Sequence, residues 1–330
     1  MRSFQRSCKT EYFIPITLGA SCACVAVALL SLLLGSTHLT PAELFSETGR
    51  QILLYVRLPR TLCTLVAGAA LATSGAVVQG VLSNRLASPS LIGVNSGAGL
   101  AVTLCTALGI YSGWRMTLLS FLGAFLAALL LSAVAGRMGA SKGTLILAGV
   151  ALNSFLGAIS SAIVTFDPDV GVMSNDFKVG DFSASSMQRL LPSALVIAFS
   201  LAALVMLSNQ LDVISLGDES ALSLGLNVRA MRTVLLLLAS ALAGAAVCLA
   251  GLLSFVGLIV PHAVRRFVGN RSGRLIPLCA LVGAAFVTLC DLVCRTAFAP
   301  YEIPVGTVMS FIGAPFFVFI LIRGRRSRDA

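Results

Sequence analysis

Ten apolar segments, most of them long enough to cross a membrane, constrain this sequence more than any other feature. They cover about 13–35, 62–82, 91–110, 116–135, 144–166, 190–208, 233–250, 252–264, 275–294 and 303–322. A helix needs roughly 20 apolar residues to cross the hydrocarbon core of a bilayer. Hydrophobic residues make up 57% of the chain and charged residues only 11%, which is unusual for a soluble domain. The sequence therefore predicts an all-α, polytopic membrane protein with about ten transmembrane helices.

The eighth segment is too short to cross a bilayer alone. It directly follows Gly251 and contains Pro261, so we expect a half-length or broken helix packed inside the bundle. The first segment follows Arg2, Arg6 and Lys9, as a secretory signal would. Its apolar run is longer than a typical signal core, so we interpret it as a retained span.

Basic residues set the predicted orientation of the spans. If the N-terminus lies inside, most of the 23 Lys and Arg residues fall in inner loops and tails, including the group at 265–274. Positive charge in short cytoplasmic loops is the usual bias of membrane proteins. Both termini are therefore expected in the cytoplasm. The net charge of +10 reflects this topology and does not indicate nucleic-acid binding.

A short pattern of small residues occurs twice, in the second and in the seventh segment. Ala-Gly-Ala-Ala at 67–70 with Gly75 matches the same letters at 243–246 with Gly251. Five crossings separate the copies, so they run through the membrane in opposite directions, as in inverted-repeat transporters. Small residues at this spacing also let helices pack closely. We expect one transmembrane domain over residues 1–330. It would contain two repeats, the first over about 55–166 (spans 2–5) and the second over about 230–322 (spans 7–10).

The sequence lacks the common motifs for nucleotide binding and catalysis. The letters of a phosphate-binding loop occur at 139–144, but in the wrong order. The chain is therefore not expected to bind ATP by itself or to be an enzyme. His262 directly follows Pro261, where a hydrogen bond near a helix end is expected rather than metal ligation. The nine cysteines are interpreted as small apolar core residues, because nearly all lie in or beside apolar segments.

Asp291 lies near the outer end of the ninth segment, and Arg295 follows four residues later. This spacing favours an ion pair within one helix. A proton relay is the alternative, because ionisable residues inside spans are often functional. The position near the interface and the local partner favour the ion pair. No metal site is predicted.

Several stretches, in order from about 55 to 320, resemble one transporter family. They are RLPR at 57–60, GAALATSGAVVQG at 68–80, NRLASPSLIGVNSGA at 84–98, LGDE at 216–219, FVGLIVPH at 255–262 with Arg265, EIPVG at 302–306 and GAPF at 313–316. Together they are similar to the permease subunit of bacterial ABC importers for iron–siderophore complexes, haem and cobalamin. The resemblance implies ten spans per subunit in the inner (plasma) membrane.

The same resemblance implies the partners. A second permease copy, in a homodimer or close heterodimer, would enclose the pathway. Two cytoplasmic ATP-binding subunits would use ATP and Mg, and an external binding protein would deliver the substrate. This chain itself is expected to bind no cofactor. An iron(III)–siderophore complex is the expected substrate, with haem or cobalamin as alternatives.

A secondary transporter driven by an ion gradient is the rival class. The inverted repeat alone would suit such a carrier equally well. Carriers usually need ionisable residues inside the membrane, and these are scarce in the predicted spans. The sequence therefore favours an external energy source.

Three groups of site residues follow from the resemblance. Docking of the binding protein is assigned to Arg57, Arg60 and Arg295, whose guanidinium groups would receive carboxylates. Lipid anchoring by the first two and pairing with Asp291 by the third are the alternatives. Coupling to the ATPase is assigned to Gly217, Asp218, Glu219, Ala221, Leu222, Leu224 and Gly225. A cytoplasmic gate is assigned to turns that contain Asn84, Leu86, Ser141 and Lys142.

The coupling segment has independent support from its residues. Asp218 and Glu219 suit the first turn of a helix, and a glycine suits its end. Ala221, Leu222 and Leu224 would give this short helix an apolar patch that needs a cover. A helix that lies on the bilayer surface is the alternative.

Two stretches depart from the family pattern. Arg85 stands where the family usually has a proline, and this loses a residue that would stiffen the turn before the third span. Phe-Lys-Val-Gly-Asp-Phe at 177–182 stands where the family usually has Trp-x-x-Gly-Ser-Leu. The second departure lies in the acidic outer loop, so it bears on contact with the substrate or the binding protein.

Overall fold

The computed structural model describes residues 13–36, 46–110, 114–137 and 142–326. Ten long helices follow one another: α1 Phe13–Leu33, α2 Glu47–Val81, α3 Val94–Ala107, α4 Trp114–Arg137, α5 Lys142–Phe166, α6 Met187–Met206, α7 Val228–Ala250, α8 Val256–Val268, α9 Ser272–Thr296 and α10 Val305–Arg326. Seven helices in the described residues are long and apolar enough to cross a membrane. These residues contain no β-strand. The predicted all-α membrane fold is confirmed.

The predicted half-length helix is present as α8, which has only 13 residues. It begins after a break in which Gly251 and Phe255 both adopt left-handed backbone angles, with φ of 68° and 66°. The first half of α8 is buried, and the helix packs against α2 and α9. A helix this short spans about 20 Å, so it lies inside the bundle beside longer helices.

Helix α2 begins at Glu47, well before the start that the apolar pattern predicts. The stretch Ile52–Arg57 is π-helical, and Pro59 follows in the next turn. A proline inside a helix has no N–H, and its ring clashes with the carbonyl four residues earlier. The wider π turn relieves this conflict. The helix can therefore continue through Pro59, with Arg57 at the end of the π-helical stretch and Arg60 in the α-helix that follows.

Close glycine contacts hold the centre of the bundle together. Gly68 of α2 lies against Gly283 of α9, and Gly75 lies against Gly257 of α8. A Cβ at any of these positions would overlap backbone atoms of the neighbour. Gly244, in the second copy of the repeated pattern, faces α4. The small residues therefore serve close helix packing, whereas the proposed repeat boundaries stay a prediction.

The connection between α5 and α6 is folded onto the bundle. It contains the short helices Pro168–Met173 and Asn175–Val179. Backbone hydrogen bonds join it to the α7–α8 break and to the start of α10: Leu252 N–H to Phe177 O at 2.9 Å, Asp181 N–H to Ala250 O at 2.8 Å and Gly306 N–H to Gly180 O at 3.0 Å. Phe182 is completely buried. The stretch that departs from the family pattern is thus packed against this end of the bundle, with Gly180 and Phe182 buried and its other residues partly exposed.

Candidate functional site

A cluster of charged side chains surrounds Arg60 at the end of the bundle that is predicted to face outward. Its Nε and Nη2 donate to Asp291 Oδ1 at 3.0 and 2.9 Å. Its Nη1 donates to Glu302 Oε2 at 2.7 Å. Asp181 Oδ1 lies 4.0 Å from Nη2. One guanidinium group therefore connects α2 with α9 and with the segments that precede α6 and α10.

Arg295 extends this cluster to α1. Its Nε lies 3.0 Å from Asp291 Oδ2, and its Nη2 donates to Ser31 Oγ at 2.7 Å. The Ser31 hydroxyl also lies 2.8 Å from the Thr61 hydroxyl. The predicted intrahelical ion pair of Asp291 and Arg295 is confirmed. Asp291 is completely buried and forms ion pairs with both Arg60 and Arg295. Loss of one partner from a buried ion pair leaves an uncompensated charge.

Arg57 binds the end of α1. Its Nη1 donates to the carbonyl oxygens of Leu32 and Leu33, at 3.1 and 2.6 Å. The last carbonyls of a helix have no partner within the helix, and a cation near them is favourable. Arg57 therefore caps the C-terminus of α1 and fixes it to α2.

The three arginines that are predicted to dock a partner are all buried in the single chain. Their exposed fractions lie between 2% and 6%, and each donates to acceptors of its own chain. The more exposed members of the cluster are acids, since the Glu302 and Asp181 side chains are 31% and 20% exposed. A docking role for the arginines stays a prediction. A partner that approached this surface would meet carboxylates first.

The predicted coupling segment forms a short helix, Asp218–Ser223, bounded by two glycines. Gly217 and Gly225 have φ of 117° and 77°, which side chains rarely adopt. The Leu226 N–H donates to the Ala221 carbonyl at 3.1 Å, as in helices that end on a left-handed glycine. Both glycines are therefore needed to start and stop this helix.

The two faces of the coupling helix differ sharply. Leu222 and Leu224 are 62% and 66% exposed, and Leu216 just before the helix is exposed as well. Ala221 is completely buried, so the prediction that it belongs to the exposed patch is wrong. The helix turns its small residue toward the chain and its leucines away from it. Asp218 Oδ1 accepts a hydrogen bond from Arg232 Nη2 of α7 at 2.6 Å, which fixes the helix to the bundle.

Two of the predicted gate residues share one turn. Asn84 Oδ1 accepts the Leu86 N–H at 2.9 Å, and both side chains are half-buried. Lys142 is the first residue of α5, whereas Ser141 lies outside the described residues. Arg85, the departure from the family pattern, is exposed in the same turn. Local bonding by Asn84 shapes this turn, and the gate role stays a prediction.

A polar contact joins α8 to α2 just before that turn. Gln79 Nε2 donates to the Gly257 carbonyl at 3.1 Å, and Gln79 Oε1 accepts a hydrogen bond from Arg265 Nη1. Gln79 and Arg265 both belong to the stretches that resemble the family, but the sequence alone indicates no role for either. A glutamine inside an apolar segment was the available signal, because a buried polar side chain needs partners.

Glu302 and Asp181 are the other residues that sequence reasoning missed. Both lie in connections, and long-range pairing with Arg60 cannot be read from local spacing. The sequence does indicate that Glu302 matters, because it begins the EIPVG motif at 302–306 and directly precedes the tenth apolar segment. An acid beside a span at the same end as buried arginines is a natural counter-ion.

The FecCD transport family matches residues 23–323 of this chain. The chain belongs to this family. The resemblance that the motifs predict is confirmed. The chain is therefore a permease subunit of an ABC importer. Such a subunit is a transport component and not an ATPase.

Three curated relatives illustrate the family. The vitamin B12 import system permease protein of Yersinia enterocolitica is 37% identical, with 91% of each chain covered. The iron-uptake system permease protein of Bacillus subtilis is 36% identical, with 89% of this chain and 91% of the relative covered. The hemin transport system permease protein of Yersinia pestis is 36% identical, with 92% and 94% covered.

A solved structure has the same fold. It is described as an inward-facing conformation of a putative metal-chelate type ABC transporter. Its TM-score is 0.86 at 30% identity, and the match covers 94% of this chain and 99% of that chain. The three relatives are named for different cargoes at nearly equal identity, so identity alone does not select a substrate.

Proposed function

We propose that this chain is the membrane-spanning subunit of an ATP-driven importer that moves an iron(III)–siderophore complex across the bacterial inner membrane. The observation that carries the proposal is the family match over residues 23–323, together with a relative at 36% identity that is named for iron uptake. Haem and cobalamin import by the same machinery are the alternatives, because two relatives are named for hemin and vitamin B12.

A second permease copy is proposed to pack against α5. In the most apolar stretches of α1 and α5 only 6% of residues are buried, against 78% in α2. The exposed surface of α1 is rich in large apolar side chains and suits lipid. The exposed surface of α5 includes Ser154, Ser161 and Thr165, and polar side chains in spans tend to face the interior of an assembly. This contrast supports α5 as the interface with a homodimeric or closely related partner.

The substrate is proposed to pass between the two copies. A cavity beside the gate turn has a volume of about 180 Å³ and is lined by Ser88, Ser90, Asn95 and Ser254 among others. Binding sites for small molecules are typically about 300–1,000 Å³. This cavity in one chain is too small for an iron chelate. A pathway enclosed by two chains would provide the missing space.

Energy is proposed to come from two cytoplasmic ATPase subunits that bind ATP and Mg, while this chain binds no cofactor. Leu216, Leu222 and Leu224 would insert into a groove on each ATPase. Exposed leucines on a short helix outside the spans support this assignment, since an apolar patch in water favours burial. Contact with the bilayer surface is the alternative.

The external binding protein is proposed to dock at the end of the bundle that carries Arg57, Arg60 and Arg295. With both termini in the cytoplasm, this end faces outward. Tyr301 and Phe298, which lie near Glu302 in the chain, are 79% and 61% exposed. Aromatic residues are frequent anchors in protein interfaces, so their exposure beside a charged cluster supports a protein partner.

The inner turns are proposed to gate substrate release. Asn84 and Leu86 lie in one turn, and Lys142 begins the helix that we assign to the dimer interface. Cysteines introduced at Asn84 in both copies, cross-linked across the dimer, should block release. The parent chain treated with the same reagent controls for modification of its native cysteines. Transport at the normal rate with the Asn84 link in place would exclude the gate.

Reconstitution tests the proposed function directly. The chain would be co-expressed with the ATPase and binding-protein genes adjacent to its own, and the complex placed in liposomes. We expect ATP-dependent uptake of radiolabelled iron(III)–siderophore, with no uptake when the ATPase lysine that binds phosphate is replaced. Uptake of haem or cobalamin alone would select an alternative substrate. Uptake driven by an ion gradient without the ATPase subunits would favour a secondary transporter.

A further inference from the structure

We infer that Glu302, in the free chain, binds Arg60 at the position that a carboxylate of the external binding protein takes in the complex. When that protein docks, the hydrogen bond between Glu302 and Arg60 breaks. This inference rests on the proposed docking role of Arg60. It explains how an arginine that is 6% exposed can serve an external protein. Glu302 is the most exposed of the acids that pair with Arg60, at 31% against 20% for Asp181 and 0% for Asp291.

The two acids that bind Arg60 are held very differently. Asp291 is completely buried, lies on a helix and also pairs with Arg295 at 3.0 Å. Glu302 binds a single nitrogen of Arg60, and its side chain is 31% exposed. Removing one partner of a fully buried ion pair is strongly destabilising, whereas a pair that water can reach contributes much less. Asp291 therefore stays in place, and Glu302 is the partner that can be exchanged.

The backbone at Glu302 permits this exchange. Residues 297–304 connect α9 to α10, and Glu302 lies in this connection, outside both helices. Rotation of the Glu302 side chain breaks its hydrogen bond to Arg60 and leaves the backbone of both helices unchanged. Only Nη1 of Arg60 would be released, because Nε and Nη2 remain on Asp291.

The hydrogen bond that Glu302 makes also favours a carboxylate as the replacement. The cluster holds two arginines, Arg60 and Arg295, and three acids, Asp291, Glu302 and Asp181, the last of which lies 4.0 Å from Arg60. Departure of Glu302 would take the carboxylate partner of Nη1 away from a largely buried guanidinium. A carboxylate from the partner can form the same charge-assisted hydrogen bond.

The test uses the reconstituted complex and its own binding protein. Glu302→Gln removes the internal competitor, so we expect the binding protein to bind about two- to fivefold more tightly, which corresponds to an exposed ion pair of up to about 1 kcal/mol. Arg60→Gln should weaken binding, and Glu302→Gln added to Arg60→Gln should give no gain. Asp176→Asn, which removes an exposed acid from the same end, is the matched control and should change affinity less than Glu302→Gln.

A second measurement does not depend on the partner. Modification of Arg60 by phenylglyoxal, followed by mass spectrometry, should increase in Glu302→Gln, while modification of Arg295 stays low as an internal control. Unchanged Arg60 labelling would overturn the inference, as would weaker binding in Arg60→Gln without tighter binding in Glu302→Gln. If Arg60→Gln binds the partner normally, the proposed docking role fails instead, and the two failures are distinguishable.

Discussion

The outer charge cluster and the inner coupling helix are both assigned to binding of partner proteins, but their side chains differ in how far the chain itself already satisfies them. Around Arg60 the charged side chains pair with one another inside the chain. On the coupling helix the leucines are left exposed by the part of the chain that the structure describes. A surface with exposed apolar groups gains free energy as soon as a partner buries it. A surface of paired charges gains little until an existing pair is exchanged. The inner site therefore suits a permanent partner, and the outer site suits a transient one.

Asp291→Asn should have the largest effect on this comparison. It removes the counter-ion of two buried arginines, so we expect a loss of about 3–5 kcal/mol in the free energy of unfolding. Chemical unfolding of the purified chain in detergent measures this change. Glu302→Gln is the control and should lose no more than about 1 kcal/mol. Equal losses in the two variants would show that the two acids are held alike.

Leu222→Asp should have the next largest effect, at the inner site. Burial of a leucine contributes about 1.5–3 kcal/mol, so the affinity for the ATPase subunit should fall about 10- to 100-fold. The free energy of unfolding of the isolated chain should not change, because Leu222 is 62% exposed. Leu222→Met keeps the apolar volume and should bind normally. Binding by Leu222→Asp that matches the parent would remove the coupling assignment.

Ala221→Asp gives the opposite pattern on the same helix. Ala221 is completely buried, so a charge there should displace the helix and lower stability before any partner binds. This difference separates the two faces of the coupling helix.

Gly68→Ala tests the close contact between α2 and α9 that holds the centre of the bundle together. The added methyl group would overlap the Gly283 backbone in α9, and overpacking of this kind costs about 1–3 kcal/mol. Gly19→Ala is the matched control, because the position in α1 is open and also helical. The control should be neutral or slightly stabilising, as alanine favours helix over glycine. Thermal unfolding that is equally changed in both variants would contradict the tight α2–α9 contact.

The sequence predicted the helices well because the bilayer imposes a strong length rule. All ten apolar segments correspond to helices, and Pro261 and Gly251 correctly indicated the short eighth helix. The start of α2 was missed because Glu47 to Arg57 carries charge and lies outside the apolar run. No local sequence pattern predicts the π-helical turn that accommodates Pro59.

The candidate sites were predicted in part. The coupling helix follows from local signals, two acids and two glycines, so its bounds were read correctly. The surroundings of Arg60 depend on residues more than 200 positions away, which spacing rules do not reach. The exposure of Ala221 was misjudged, since this residue is buried. Positions on a face can be counted from the sequence, but which face meets the bundle is decided by tertiary packing.

Asp218→Asn should have the smallest effect. The pair of Asp218 with Arg232 has a short distance, 2.6 Å, but the Asp218 side chain is 42% exposed. Pairs that water can reach contribute roughly 0–1 kcal/mol and weaken as salt increases. We therefore expect Asp218→Asn to lower the free energy of unfolding by less than about 1 kcal/mol. The difference should shrink further at 1 M salt, whereas the loss in Asp291→Asn should persist because its pair is shielded from ions. The measurement is chemical unfolding of both variants at low and high salt. If Asp218→Asn were as costly and as insensitive to salt as Asp291→Asn, the inner pair would be as enclosed as the outer cluster, and the contrast between the two sites would rest on the leucines alone.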